Sequence, residues 1–112
     1  MSQHNDEISL RHMLDYAREA VAMVQGKVRA DLDHDRMLEL ALVRLVEIVG
    51  EAAARVSPAG QERYSGLPWP QIIGTRHRLV HGYGKVDLNV LWDTVIDDLP
   101  PLIAALERIV DS

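Results

Sequence analysis

Apolar residues recur at helical spacing along almost the whole chain. Leu10, Met13, Leu14, Ala17, Val21 and Val24 advance by threes and fours, which predicts an amphipathic helix over roughly residues 6–25, closed by Gly26. A second helix is expected over about residues 36–56. There Leu38, Ala41, Leu42, Leu45, Val46, Ile48, Val49, Ala52 and Ala53 cover more than half the circumference. A helix so apolar sits centrally in a bundle or also meets a second subunit, and Gly50 lets a neighbour approach closely. Pro58 pushes Ser57 out of helical geometry and ends it, and a short helical turn follows near residues 59–64. Ile72, Ile73, Leu79 and Val80 predict a third helix over residues 71–80, with Pro70 in its first turn and Gly82 as its left-handed cap. Asp87 is a suitable N-cap for the last stripe, which runs Leu88, Leu91, Val95, Leu99, Leu102, Leu106 and Ile109. Pro100 and Pro101 interrupt that stripe without shifting its phase, so a kink near Leu99 is expected, with both halves on the same bundle. No strand pattern is present. The expected fold is all-α, an antiparallel up-and-down bundle of four long helices plus a short one, in a single domain spanning residues 1–112.

Composition narrows the function. Hydrophobic residues make up 47% of the 112 positions, which suits a folded globule and excludes a disordered chain. The net charge of −5 argues against a protein that coats nucleic acid nonspecifically. The charge is unevenly spread, however. Residues 71–84 carry Arg76 and Arg78 and no acid, while acids gather at Asp31, Asp33 and Asp35 and at Asp93, Asp97 and Asp98. A local cationic site on an acidic body suits a protein that binds an anionic group at one place and releases it, better than one that coats a polyanion. With no cysteine there are no disulfides or thiolate metal sites, no apolar run approaches the ~20 residues of a membrane span, and residues 1–7 lack a signal-peptide pattern. A cytoplasmic location is expected.

The chemistry concentrates in Arg76-His77-Arg78-Leu79-Val80-His81-Gly82-Tyr83. A guanidinium offers a planar fork to two phosphate oxygens, and an imidazole moves a proton near neutral pH. On a regular helix Arg76 and His81 lie about 140° apart, so they meet one phosphate only if the last turn unwinds or a second subunit brings its own copy alongside. Other readings are weaker. His77 and His81 have the i, i+4 spacing of zinc ligands, but no third ligand stands at a recognisable offset. The Asp31, Asp33, Asp35 alternation lacks the glycine and distant glutamate of a calcium loop, since Arg36, Met37 and Leu38 follow; Asp33 or Asp35 is better read as a helix cap. Glu47 and Glu51 share one edge of the second helix, where either can anchor Arg76 or join in proton transfer; the plainer reading is a solvated polar edge. His4 and His12 read as surface residues, Trp69 as a packing anchor, and Trp92 as core or interface.

This arrangement, an arginine, four residues, a histidine, one residue and a tyrosine, followed by Gly84-Lys85-Val86-Asp87, resembles the HEPN superfamily and within it the HepT-like toxins. Val49-Gly50-Glu51-Ala52-Ala53, Leu67-Pro68-Trp69 before Ile72-Ile73-Gly74, and Asp98-Leu99-Pro100-Pro101-Leu102 extend the likeness over nearly the whole chain. The resemblance implies a metal-independent endoribonuclease with no cofactor. Arg76 and His81 would be its catalytic pair, in a site shared across a homodimer, with His77, Arg78 and Glu51 as auxiliary residues. His77 stands where that family often has a small polar residue such as asparagine. The resemblance further implies a toxin–antitoxin pair in which a minimal nucleotidyltransferase adenylylates Tyr83 and silences the toxin. The alternative within the same superfamily is a non-catalytic subunit that binds and orients a nucleotidyltransferase.

Overall fold

In the computed structural model, which describes residues 3–80 and 84–111, the first stripe becomes α1 (Gln3–Met23). The second becomes α2 (Arg36–Arg55), whose buried face of Leu38, Leu42, Leu45, Val46, Val49, Ala52 and Ala53 follows the predicted periodicity. Helix α1 packs along α2 and along the C-terminal helix. The Arg18 guanidinium reaches Glu107 at 2.7 Å, and Arg11 reaches Asp111 at 3.6 Å instead of stopping at its own-helix neighbour Asp15. Met13, Leu14, Leu42, Leu79, Leu91 and Leu106 are fully buried in one core, each contributing about 1.5–3 kcal/mol relative to exposure.

The three aspartates before α2 all hold local structure. Asp31 accepts from the Val28 amide at 2.8 Å and so starts a 3-10 turn (Arg29–Asp33) that buries Leu32. Asp33 pairs with Arg29 at 3.1 Å, and Asp35 caps α2 by accepting from the Leu38 amide at 3.0 Å.

At the other end of α2, α3 (Pro58–Arg63) is capped by Ser57, whose hydroxyl accepts from the Gly60 amide at 3.0 Å. Asp6, which the periodicity did not single out, locks this cap from α1. Its buried carboxylate accepts from the Ser57 hydroxyl at 2.6 Å and from the Ser57 amide at 2.9 Å. The Ser57 hydroxyl, and then the Ser57 amide, hold the Asp6 carboxyl below its ordinary value of 3.8. A group with a depressed folded-state pKa stabilises above its unfolded value and loses that contribution as pH falls through the folded one. Asp6→Asn should therefore cost about 1–3 kcal/mol at neutral pH, and the gap to wild type should close as pH drops below 3.8. Urea denaturation at pH 7 and near pH 3 checks both the size and the closing; a gap constant with pH would contradict it.

The stretch expected as one helix over residues 71–80 is instead two five-residue helices, α4 (Trp69–Ile73) and α5 (Thr75–Leu79). Gly74 separates them at φ −83° and ψ 1°, where a Cβ would stand 2.9 Å from the Pro70 carbonyl. Nor does α5 run on to Gly82. It ends at Leu79, and Val80 turns extended to form an isolated antiparallel bridge with Val86. Both are β-branched residues that suit that geometry. His81, Gly82 and Tyr83, including the expected glycine cap, lie outside the described residues.

The last stripe folds as α6 (Leu88–Asp93), a π-helical turn (Thr94–Asp98) and α7 (Leu99–Val110). Asp87 caps α6 by accepting from the Asn89 and Val90 amides at 3.0 and 3.1 Å. Pro100 and Pro101 lack amide donors. The backbone meets them with the wide turn just before, in which the Leu99 amide donates to Thr94. The apolar stripe keeps its phase, with Leu91, Val95, Leu99, Leu102 and Leu106 all buried. Among the described residues the architecture is all-α, with α1, α2 and the consecutive α6, π-turn and α7 as its long members where four long helices were expected. No described helix is long and apolar enough to cross a membrane.

Candidate functional site

The arginine-rich segment is placed by the residues it buries. Trp69 is buried and donates its indole N–H to the Tyr64 carbonyl at 3.1 Å, as expected of a packing anchor. Ile72 packs where α4 crosses α2 at Gly50, and a Cβ at Gly50 would lie 3.2 Å from the Ile72 carbonyl. Thr75 is buried with its hydroxyl donating to the Gln71 carbonyl at 2.9 Å, and Leu79 is fully buried. With Thr75 and Leu79 inward, Arg76, His77 and Arg78 are all exposed.

The three exposed residues differ in their surroundings. Arg78 donates to the Gln71 carbonyl at 3.1 Å and to the Thr75 hydroxyl at 3.3 Å, so it clamps α5 to α4 across the break at Gly74. Arg76 sends its guanidinium toward α2, where its Nε lies 3.4 Å from Glu47 Oε2. The Arg76 side chain is 74% exposed and Glu47 only 20%. The other Glu47 oxygen lies 3.9 Å from Arg44, which also holds Glu51 at 3.3 Å. Of the two glutamates marked in the sequence, then, Glu47 meets Arg76, whereas Glu51 pairs with Arg44. The i, i+3, i+7 spacing of Arg44, Glu47 and Glu51 was the readable signal of this charge line, and Arg44 was not singled out from sequence.

The bridge between Val80 and Val86, with the Asp87 amide donating to the Leu79 carbonyl at 2.7 Å, returns the chain to the end of α5. His81 and Tyr83 fall between these two anchors in sequence and lie outside the described residues. Beside α5, a groove of about 720 Å³ runs between α2, α4, the π-turn and α7. It has an apolar lining of Val46, Val49, Leu67, Ile72, Leu99 and Leu102, with Arg78, Arg108, Asp97 and Asp98 also lining it. Arg76 is not part of that lining; it stands on open surface, where a polymer can reach it. Among the described residues no three His, Asp or Glu side chains gather to hold a metal ion. Chemically, the site presents an exposed guanidinium beside a carboxylate on a neighbouring helix, five residues before His81 in the chain.

Comparison with known proteins agrees with the residue pattern. A family model described as ribonuclease HepT-like matches residues 13–109. The chain is 32% identical over 103 residues to a protein named as an RNase in Caldanaerobacter subterraneus subsp. tengcongensis, covering 92% of each chain. It is 30% identical over 105 residues to one named as ribonuclease HepT in Thermococcus cleftensis, covering 90% of this chain and 96% of the other. A protein named as an RNase in Methanocaldococcus jannaschii is 26% identical over 107 residues, covering 96% of this chain and 98% of its own length. No solved structure matches.

Proposed function

The chain belongs to the ribonuclease HepT-like family, and from that premise we propose that it is a toxin endoribonuclease that cuts RNA without a metal. Arg76 binds the scissile phosphate and steadies the charge of the phosphorane, and His81 transfers the proton. The observation that supports this most is the Arg76 guanidinium, 74% exposed on a short, well-anchored helix. One protomer offers a single Arg76 and a single His81, whereas in-line cleavage calls for both a base and an acid. A two-fold homodimer supplies two of each, with His77 and Arg78 as auxiliary groups and Glu51 on the neighbouring helix. Purified protein should cleave RNA in the presence of EDTA, and His81→Ala should abolish cleavage with helical content retained. Sedimentation should show a dimer at micromolar concentration. Growth of a bacterium expressing the protein alone separates the two roles: arrest relieved by His81→Ala supports the enzyme, and no arrest supports a non-catalytic subunit that orients a nucleotidyltransferase.

Control is proposed to act on Tyr83. Its hydroxyl attacks the α-phosphorus of ATP in a partner nucleotidyltransferase, losing its proton and releasing pyrophosphate. The adenylate then competes for Arg76 with incoming RNA through its bulk and negative charge. Co-expression with the partner should add one adenylate to the peptide containing Tyr83. Tyr83→Phe should stay folded, escape modification and remain toxic beside the active partner. A Tyr83→Phe protein that is still neutralised would mean that the partner acts by binding alone.

A further inference from the structure

A guanidinium has two faces for acceptors, the edge that carries Nε and the edge formed by the two terminal nitrogens. A phosphate taken by the terminal edge needs the whole plane held at one angle, because the two parallel hydrogen bonds of the fork tolerate little rotation. In this structure Glu47 Oε2 pairs with Arg76 at the Nε edge, 3.4 Å away, in a guanidinium side chain that is 74% exposed. Glu47 is itself fixed. It is only 20% exposed, it projects from the middle of the 20-residue α2, and its second oxygen lies 3.9 Å from Arg44. The same Arg44 nitrogen also meets Glu51 at 3.3 Å. Alternating charges thus run from Glu51 through Arg44 and Glu47 to Arg76, linking the central helix to the short α5.

We propose that Glu47 is a positioning residue for Arg76, holding the guanidinium by its Nε so that the terminal edge is set for a phosphate. The proposal rests on the RNA-cleaving reading of Arg76, and it adds Glu47 of α2 to the site. Electrostatics makes the role separable from simple charge. Glu47 is an acid beside a polyanion site, so its removal should leave RNA binding equal or tighter. Loss of positioning should slow the chemical step even so.

The test uses the full-length protein and its Glu47→Gln variant, which keeps size and an acceptor oxygen but not the charge. Circular dichroism and melting should match wild type. In arginine side-chain NMR, the Arg76 Nε–H signal, identified by its absence in Arg76→Lys, should move in Glu47→Gln and exchange faster with solvent. In single-turnover cleavage of a short RNA, Glu47→Gln should lose about 10- to 100-fold in rate at saturation while its affinity is equal or higher. An unmoved Nε–H signal overturns the proposal. So does full-rate cleavage by Glu47→Gln where Arg76→Ala is dead, which leaves the ribonuclease reading standing. If wild type itself cuts no RNA, the ribonuclease reading fails, and the NMR signal alone decides whether Glu47 holds Arg76.

Discussion

Arg76→Ala is expected to lower single-turnover RNA cleavage by about 100- to 1,000-fold and to leave the melting temperature unchanged. The two halves of that expectation come from different features of the same side chain. Arg76 is 74% exposed and absent from the core, and an exposed ion pair such as the one it makes with Glu47 is worth about 0–1 kcal/mol to stability. On the proposed mechanism its value lies in the transition state, where a planar cation at the phosphate counters charge that the ground state lacks. Arg76→Lys sharpens the point. Lysine keeps the charge, but it has neither the two-pronged terminal edge nor the Nε that meets Glu47, so most of the loss should persist. Cleavage assays with both variants beside a thermal melt make the measurement. Wild-type rates in Arg76→Ala would remove Arg76 from the chemistry.

Leu79→Ala should act in the opposite way, by unseating the site from below. Helix α5 has five residues and buries only Thr75 and Leu79, of which Leu79 is fully enclosed. Removing that side chain leaves a cavity next to α2 and α6, the elements α5 packs on. The expected cost is about 2–5 kcal/mol, a large share of the roughly 5–15 kcal/mol a domain holds in total. The Leu79 carbonyl also accepts from the Asp87 amide at 2.7 Å, so the loss should reach the Val80–Val86 bridge. Leu79→Met, nearly equal in volume, should cost less than about 1.5 kcal/mol and keep activity. Urea midpoints of the two variants against wild type decide the matter. A Leu79→Ala midpoint equal to wild type would mean that α5 is anchored elsewhere.

Much of this protein can be read without coordinates, because burial is decided residue by residue and a helix repeats its buried face every 3.6 positions. The stripes of α1 and α2, the phase of the last stripe across Pro100 and Pro101, the cap at Asp35 and the anchoring role of Trp69 all follow from local pattern. The Arg76-to-Tyr83 spacing is equally local, and it carried the family resemblance. Other features were not legible because they depend on which elements meet. Whether residues 69–79 form one helix or two is settled where Gly74 leaves helical geometry and Arg78 clamps the two pieces together. Asp6 carries no periodic signal, since its importance comes from a serine cap on a distant helix. The choice of Glu47 over Glu51 turns on the close crossing of α4 and α2 at Gly50, which sets α5 beside one turn of α2 and not the next. Two glutamates four residues apart look alike in a sequence; the tertiary packing, by fixing where the guanidinium can reach, tells them apart.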